Sequence, residues 1–290
     1  MDAIRVRGLR KAYGENVAVG GVDLDVASGE VFALLGPNGA GKTTTVEILE
    51  GYRRRDDGEV SVLGVDPAVA NGRRGTTSDA AAKRWRERIG IVLQGTGEFD
   101  ELTVGEVVRH FARFYPGADD PVAVVERVGL ADKATARTHT LSGGQKRRLD
   151  VALGIIGRPE LLFLDEPTTG FDPEARREFW QLIRDLQAGG TTIVLTTHYL
   201  EEAEALADRV GVIARGRLIA VDTPRSLGRR DSALATVSWR TPEGGWERTR
   251  SATPTAVVAD LAVRFAGEVP GLTVTRPTLE DVYLEMIGDH

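Results

Sequence analysis

The chain contains no cysteine. Disulfides, thiolate catalysis and cysteine-ligated zinc are therefore excluded, while the compartment is left open. Long hydrophobic runs are also missing. The longest apolar pieces, such as Val31-Phe32-Ala33-Leu34-Leu35, have strand length, far short of the ~20 residues of a spanning helix. Met1–Tyr13 has no apolar segment of the kind that marks a secretory signal, so no signal peptide is expected. Positive charge is not in surplus: the net charge is −6, and a general affinity for nucleic acid is not expected. Lysine is scarce, five of the 37 basic residues, for which a coding bias is the plainest reading. Internal repeats and coiled-coil heptads are absent. These absences predict a chain that is soluble by itself, with any membrane role coming through a partner. What remains is the composition of a globular protein, 41% hydrophobic and 28% charged over 290 residues. That length suits one large domain, or a large domain with a small appendage.

Over roughly the first 220 residues, strands and helices alternate in the pattern of an α/β domain. Ile4–Val6 and the alternation of Val22, Leu24 and Val26 predict strands with one buried face. Val31–Leu35 leads into a Gly-rich loop, and a helix is expected from near Gly41, carrying Val46, Ile48 and Leu49. Ile89–Leu93 is a further buried strand. From Leu102 to Leu130 the period turns helical. Thr103 and Glu106 form a capping box, and Val104, Val107, Val108, Phe111 and Phe114 follow at helical spacing. Strands return at Leu161–Leu164 and Thr192–Thr196. A helical block, about residues 95–158, is therefore expected as an insertion in the α/β core of residues 1–225. Ala70–Ala82 reads as a loop with little core content. Past Val221 the periodicity changes. Thr223-Pro224 opens a short helix, and Ala233–Arg240, Val257–Phe265, Leu272–Val274 and Leu279–Met286 predict a small strand-and-helix domain over residues 226–290.

The segment Gly36-Pro37-Asn38-Gly39-Ala40-Gly41-Lys42-Thr43 meets the pattern G-x-x-x-x-G-K-[ST]. Phosphate oxygens need close approach by backbone N–H groups and some positive φ angles, which glycine permits. The helix N-terminus that follows adds the positive end of its dipole. Lys42 would reach the β- and γ-phosphates, the Thr43 hydroxyl would coordinate Mg²⁺, and Thr44 would add a phosphate contact. An apolar strand preceding the loop and a helix following it are the context the motif requires.

A second apolar strand, Leu161–Leu164, ends in Asp165-Glu166. Ligands of open α/β sheets bind beyond the carboxyl ends of the strands. Asp165 fits as the Mg²⁺-side carboxylate and Glu166 as the residue that polarises an attacking water. A strand ending in Asp-Glu is by itself most often only solvated; the phosphate loop makes the functional reading the stronger.

With Leu141-Ser142-Gly143-Gly144-Gln145 added, residues 3–225 resemble the ATP-binding subunit of an ABC transporter, with the motifs in the right order. Ser142 and the backbone of Gly144 open a helix expected to run from Gly143 towards Ile156, another anion-binding helix end. The resemblance implies that Ser142, Gly143, Gly144 and Gln145 face the γ-phosphate held by a second copy of the chain. It further implies that Tyr13 stacks on adenine and that Gln94 contacts Mg²⁺ and water. Asp172 would lie in the segment that crosses the dimer interface, and His198 would contact the γ-phosphate. Leu93 stands where the family often has proline, and Phe171 where leucine is commoner. Arg276-Pro277-Thr278-Leu279-Glu280-Asp281-Val282-Tyr283-Leu284 resembles the closing segment of drug-export ATPases of the daunorubicin-resistance type. Thr278 should cap a helix with acidic first-turn residues and a packing face of Val282, Leu284 and Ile287.

The fold so implied is a P-loop, RecA-like ATPase core with an antiparallel β subdomain and an inserted helical subdomain, plus a small C-terminal α+β domain. The function implied is ATP hydrolysis, with ATP and Mg²⁺ bound between two copies. It would power a separate multi-span permease from the cytoplasmic side of the membrane, with Lys42, Gln94, Glu166 and His198 in the catalytic roles. A non-transport ATPase of the same superfamily and a regulatory ATP-binding subunit remain as alternatives. The lack of a coiled coil, the single cassette, and the presence of Glu166 and His198 weigh against them.

Overall fold

The computed structural model describes residues 2–70, 79–92 and 99–288. The chain divides into two compact units, Met1–Val221 and Asp222–His290. In the first unit the order is β1 (Asp2–Tyr13), β2 (Asn16–Ala27), β3 (Val31–Leu35), α1 (Lys42–Leu49), β4 (Asp57–Val62), α2 (Pro67–Ala70), α3 (Asp79–Glu87) and β5 (Ile89–Val92). Then come α4 (Val104–Ala112), α5 (Pro121–Arg127), α6 (Gly143–Ile155), β6 (Leu161–Asp165), α7 (Pro173–Ala188), β7 (Thr192–Thr197), α8 (Leu200–Leu206), β8 (Arg209–Ala214) and β9 (Arg217–Asp222).

Two sheets organise this unit. One has three antiparallel strands in the order β2-β1-β4. The other has six, in the order β5-β6-β7-β3-β8-β9, with β5 through β8 mutually parallel where they pair. Every residue of β3 and β7 is buried. Burial on both faces is why these strands read as continuous runs and not as alternations. Ile4, Val6, Leu24 and Val26 of the antiparallel sheet share one core with Phe32, Leu34, Phe163 and Val194 of the parallel sheet and with Ile48 and Leu49 of α1.

Between β5 and β6 the described residues hold helices and no strand of either sheet. The capping box at α4 forms: Thr103 Oγ1 accepts from the Glu106 N–H at 3.3 Å, and Glu106 Oε2 accepts from the Thr103 N–H at 2.9 Å. Val104, Val107 and Val108 are buried as their spacing predicts, whereas Phe114 is 59% exposed and meets Phe111 edge-on. The helix ends at Ala112, so Phe114 falls outside the stripe that its spacing had assigned to it.

The loop expected over Ala70–Ala82 needs correction. Residues 71–78 lie outside the described residues, but α3 begins at Asp79, Ala82 is buried, and Trp85 is 1% exposed with its indole N–H donating to Val62 O at 2.9 Å. Ala82 and Trp85 share a face one turn apart, a short period hidden by the Gly- and Arg-rich stretch before it.

In the second unit, β10 (Ala235–Arg240), β11 (Trp246–Ser251), α9 (Pro254–Arg264), β12 (Thr273–Thr275) and α10 (Leu279–Gly288) form an antiparallel sheet of order β11-β10-β12 with two helices. Val237, Trp239, Leu261 and Val269 make its core. Thr278 caps α10 in a box with Asp281: Thr278 N–H donates to Asp281 Oδ2 at 2.8 Å and Thr278 Oγ1 accepts from Asp281 N–H at 3.1 Å. The face differs from the one expected. Leu279 and Val282 are buried, while Leu284 is 54% exposed. Strand β11 went unforeseen because Trp-Glu-Arg-Thr-Arg-Ser carries no alternation of apolar residues.

Candidate functional site

Strands β6, β7 and β3 are neighbours, and their carboxyl ends deliver Asp165-Glu166, His198 and the loop Gly36–Gly41 to one edge of the sheet. Two glycines shape that loop by exclusion. A Cβ at Gly36 would stand 2.4 Å from Ile213 O, and one at Gly41 would stand 2.3 Å from Ala18 O. Gly41 has φ 104° and precedes α1 without any side-chain cap. The N–H groups of Lys42, Thr43 and Thr44 thus open the helix with no partner inside it, the arrangement that binds anions. The Lys42 side chain turns back into the loop, donating from Nζ to Gly36 O at 2.7 Å and Pro37 O at 3.2 Å. It is buried, and burial lowers its pKa, while Glu166 and then Asp165 oppose the shift by favouring the charged form. Pro37, Asn38 and Gly39 are exposed and Ala40 is buried.

At the end of β6 the backbone is strained. Glu166 has φ 43°, a left-handed conformation that costs a non-glycine residue roughly 1–3 kcal/mol. Thr196 holds this turn. Glu166 N–H donates to both Thr196 O and Thr196 Oγ1 at 3.1 Å, and the Thr196 hydroxyl donates to Asp165 Oδ1. The turn aims the Glu166 carboxylate across the strand ends: Oε1 is 3.3 Å from His198 Nδ1, and the Thr169 hydroxyl stands 3.5 Å from Oε2. His198 is 39% exposed and its ring lies 4.0 Å from that of Tyr199.

Two of the residues that build this corner were not singled out from sequence. Thr196 looked like one more strand threonine. Arg147, on α6, is buried and donates from Nε to Pro167 O at 3.2 Å and from Nη2 to Asp165 O at 2.6 Å. Desolvation lowers its pKa, against the pull of Asp150, Asp165 and Glu202. Only its burial had a signal, since it shares a helical stripe with Val151 and stands three residues before Asp150, a buried charge pair on an apolar face; the backbone it grips had none.

Ser142 is the N-cap of α6. Its Oγ accepts from Gln145 N–H at 3.3 Å, and Gln145 Oε1 accepts from Ser142 N–H at 3.0 Å. The Ser142 hydroxyl uses a lone pair here and keeps its hydrogen to offer. Ser142 and Gly143 are exposed, Gly144 and Gln145 partly so. Among the described residues no hydrogen bond or ion pair joins 142–145 to the loop 36–44 of the same chain. Asp172 caps α7, its Oδ1 accepting from Glu174 and Ala175 N–H at 3.0 and 2.9 Å. Tyr13 closes β1 opposite Asn16, 41% exposed, with Lys11 Nζ and Arg53 Cζ at 5.4 and 5.3 Å from its ring centroid. Gln94 lies outside the described residues.

A divalent cation fits this donor set in one particular way. Thr43 and Asp165 offer a hydroxyl and a carboxylate, both hard oxygen ligands, and among the described residues no group of three or more acidic or histidine side chains is placed to hold a metal ion by itself. Such a pair suits an ion that completes its shell with substrate phosphates and water rather than in an all-protein cage.

A phosphate loop after a central parallel strand, with an acid pair after the strand one place removed from it in the same sheet, defines the P-loop ATPase class. The ABC transporter family matches residues 19–169. The chain is 38% identical over 315 aligned residues to the daunorubicin resistance ATP-binding protein DrrA3 of Streptomyces coeruleorubidus, covering 99% of this chain and 96% of that protein. It is 37% identical over 294 aligned residues to a fluoroquinolones export ATP-binding protein of Mycobacterium tuberculosis, covering 99% and 94%. A bacterial ABC transporter cassette solved as a dimer superposes with TM-score 0.66 at 25% identity, over 76% of this chain and 98% of that one. The chain belongs to the ABC transporter family. It is an ATP-binding subunit and an ATPase.

Proposed function

We propose that this subunit powers the export of drugs or other hydrophobic compounds through a separate membrane permease, by ATP-driven head-to-tail dimerisation. The observation that carries the reading is the convergence of Lys42, Asp165, Glu166 and His198 on one edge of the sheet. Gly36–Thr44 of one copy binds the phosphates, Tyr13 stacks on adenine, and Ser142–Gln145 of the second copy offers its helix end and the Ser142 hydrogen to the γ-phosphate. Asp172 crosses between the copies. Glu166 accepts a proton from water as that water attacks the γ-phosphorus in line; the bond to ADP breaks, and inorganic phosphate leaves. His198 steadies the Glu166 carboxylate, and Lys42 offsets charge on the β- and γ-oxygens. Thr43, Asp165 and Gln94 would hold Mg²⁺, which would neutralise phosphate charge when bound.

Support for composite assembly comes from the open helix end at Ser142 and from the dimeric cassette of similar fold. Support for export comes from the names of the two relatives. Among the described residues no helix is long and apolar enough to cross a membrane, which supports a permease on another polypeptide. The permease docks on the helical block near Gln94 and converts closure into alternating access.

Glu166→Gln keeps the size of the side chain and removes the base. We expect turnover to fall by about 10²–10⁴-fold and the variant to elute as a dimer in ATP and Mg²⁺ by size-exclusion chromatography. A monomer that hydrolyses ATP at the wild-type rate would overturn the composite site.

A further inference from the structure

Glu202 lies on α8, one helical turn beyond His198, and is fully buried at 0% exposure. Three groups from three segments face its carboxyl: Thr197, which ends β7 directly before His198; Thr168, in the segment that follows Glu166; and Trp180, on the helix capped by Asp172. Two of these segments adjoin the candidate catalytic residues Glu166 and His198, and the third follows Asp172. Yet among the described residues neither carboxyl oxygen of Glu202 closes a hydrogen bond, and neither do Thr168 Oγ1 nor Trp180 Nε1, although all four atoms are buried. Each is shielded from bulk solvent, a setting in which an unclosed hydrogen bond is costly, while Thr168 and Trp180 already lie close enough to act on the carboxyl. Four such atoms at one point of a fold call for a physical reason.

We propose that Glu202 is a positioning residue for hydrolysis: it is the common anchor on which the turns bearing Glu166 and His198 settle, and its bonds to Thr168 and Trp180 close as the site reaches its hydrolysing arrangement. The inference rests on the reading of Glu166 as the base that takes the proton from water and of His198 as the side chain that steadies it. The acceptor and donors already face each other, so a small shift of the Thr168 segment or of α7 completes the bonds and fixes the strained turn at Glu166. Burial pushes the Glu202 carboxyl above its usual range, while Thr197, Thr168, Trp180 and Arg176 favour its charged form. A protonated carboxyl both donates and accepts, and a carboxamide can do the same. Arg176 does not neutralise the site by direct pairing: its guanidinium stacks over Tyr199 at 5.1 Å and lies 3.6 Å from Glu201.

The test is steady-state ATPase kinetics of the full chain, with Glu166→Gln as control. Displaced catalytic groups lower kcat by roughly 10- to 100-fold, so Glu202→Ala should do this with KM for ATP within about 2-fold of wild type. Glu202→Gln should restore kcat to within about 3-fold, because it keeps the donor and acceptor. Trp180→Phe, which keeps the ring and deletes the N–H, should lower kcat several-fold without moving KM, and it decides the matter if Glu202→Ala does not fold. Wild-type kcat in Glu202→Ala or Trp180→Phe, a change in KM alone, or a Gln variant as impaired as Ala would overturn the inference. Should Glu166→Gln itself turn over normally, the parent reading fails and takes the inference with it; if Glu166→Gln is inactive while Glu202→Ala is not, the inference alone fails.

Discussion

Glu50 follows the last residue of α1, and its side chain is buried. Burial first, then repulsion from Asp165 and Glu47, pushes its carboxyl from 4.5 up to about 8. The folded chain therefore holds a proton that the unfolded chain releases near pH 4.5. Below that value both states carry the proton and the group is neutral in its effect. Between about pH 4.5 and 8 the unfolded state alone ionises, and stability falls by up to about 1.4 kcal/mol per pH unit; above that range the loss is complete. In nucleotide-free protein, Glu50→Gln should flatten this slope, read as denaturant midpoints across the interval. An unchanged slope would assign the pH dependence to other groups. Residues of this kind, with Thr196 and Arg147, are the ones sequence conceals. Lys42, Thr43 and the loop glycines announce themselves because one local turn fixes their spacing. Thr196 and Arg147 act on Asp165 and Pro167 from other elements, and nothing along the chain marks that encounter.

Among the elements, legibility followed burial. Strands covered on both faces, such as β3 and β6, stand out as short apolar runs, and the caps of α4 and α10 are visible as Thr-x-x-Glu and Thr-x-x-Asp. Elements with little or no buried face did not show: β11 is a polar edge strand, and α3 hides Ala82 and Trp85 behind charged neighbours. The Trp85 contact gives α3 a measurable share of stability. Trp85→Phe removes the donor to Val62 O, whose carbonyl keeps the Val65 N–H at 3.0 Å. With that oxygen still bonded, the expected loss is about 1–2 kcal/mol, combining the lost bond and the smaller ring. Chemical denaturation measures it, and a change below about 0.3 kcal/mol would show that α3 is held by something else.

At the scale of the whole molecule, the nucleotide chemistry is written into the chain and the cargo is not. The residues proposed for the site would face phosphate, adenine and water, and none of them reports what a permease carries. If the coupling proposal holds, the chain expressed alone should stay in the supernatant of a membrane preparation. Co-expression with a cognate protein of about six hydrophobic segments of ~20 residues each should move it to the pellet. Retention in the supernatant beside a well-folded partner would count against that pairing.

The Arg147 contacts bear on how such a machine can move. One guanidinium on α6 grips the backbone on either side of Glu166, at Asp165 O and Pro167 O. Bonds to a charged donor are worth about 1.5–3 kcal/mol each when buried, so sliding α6 past the end of β6 is expensive. The cheaper motion carries both together. A tilt imposed on α6 from outside would then reach the Glu166 turn as a displacement of one rigid bracket, with no intervening loop to absorb it, and the Ser142 end of the same helix would swing on that bracket like the far arm of a lever.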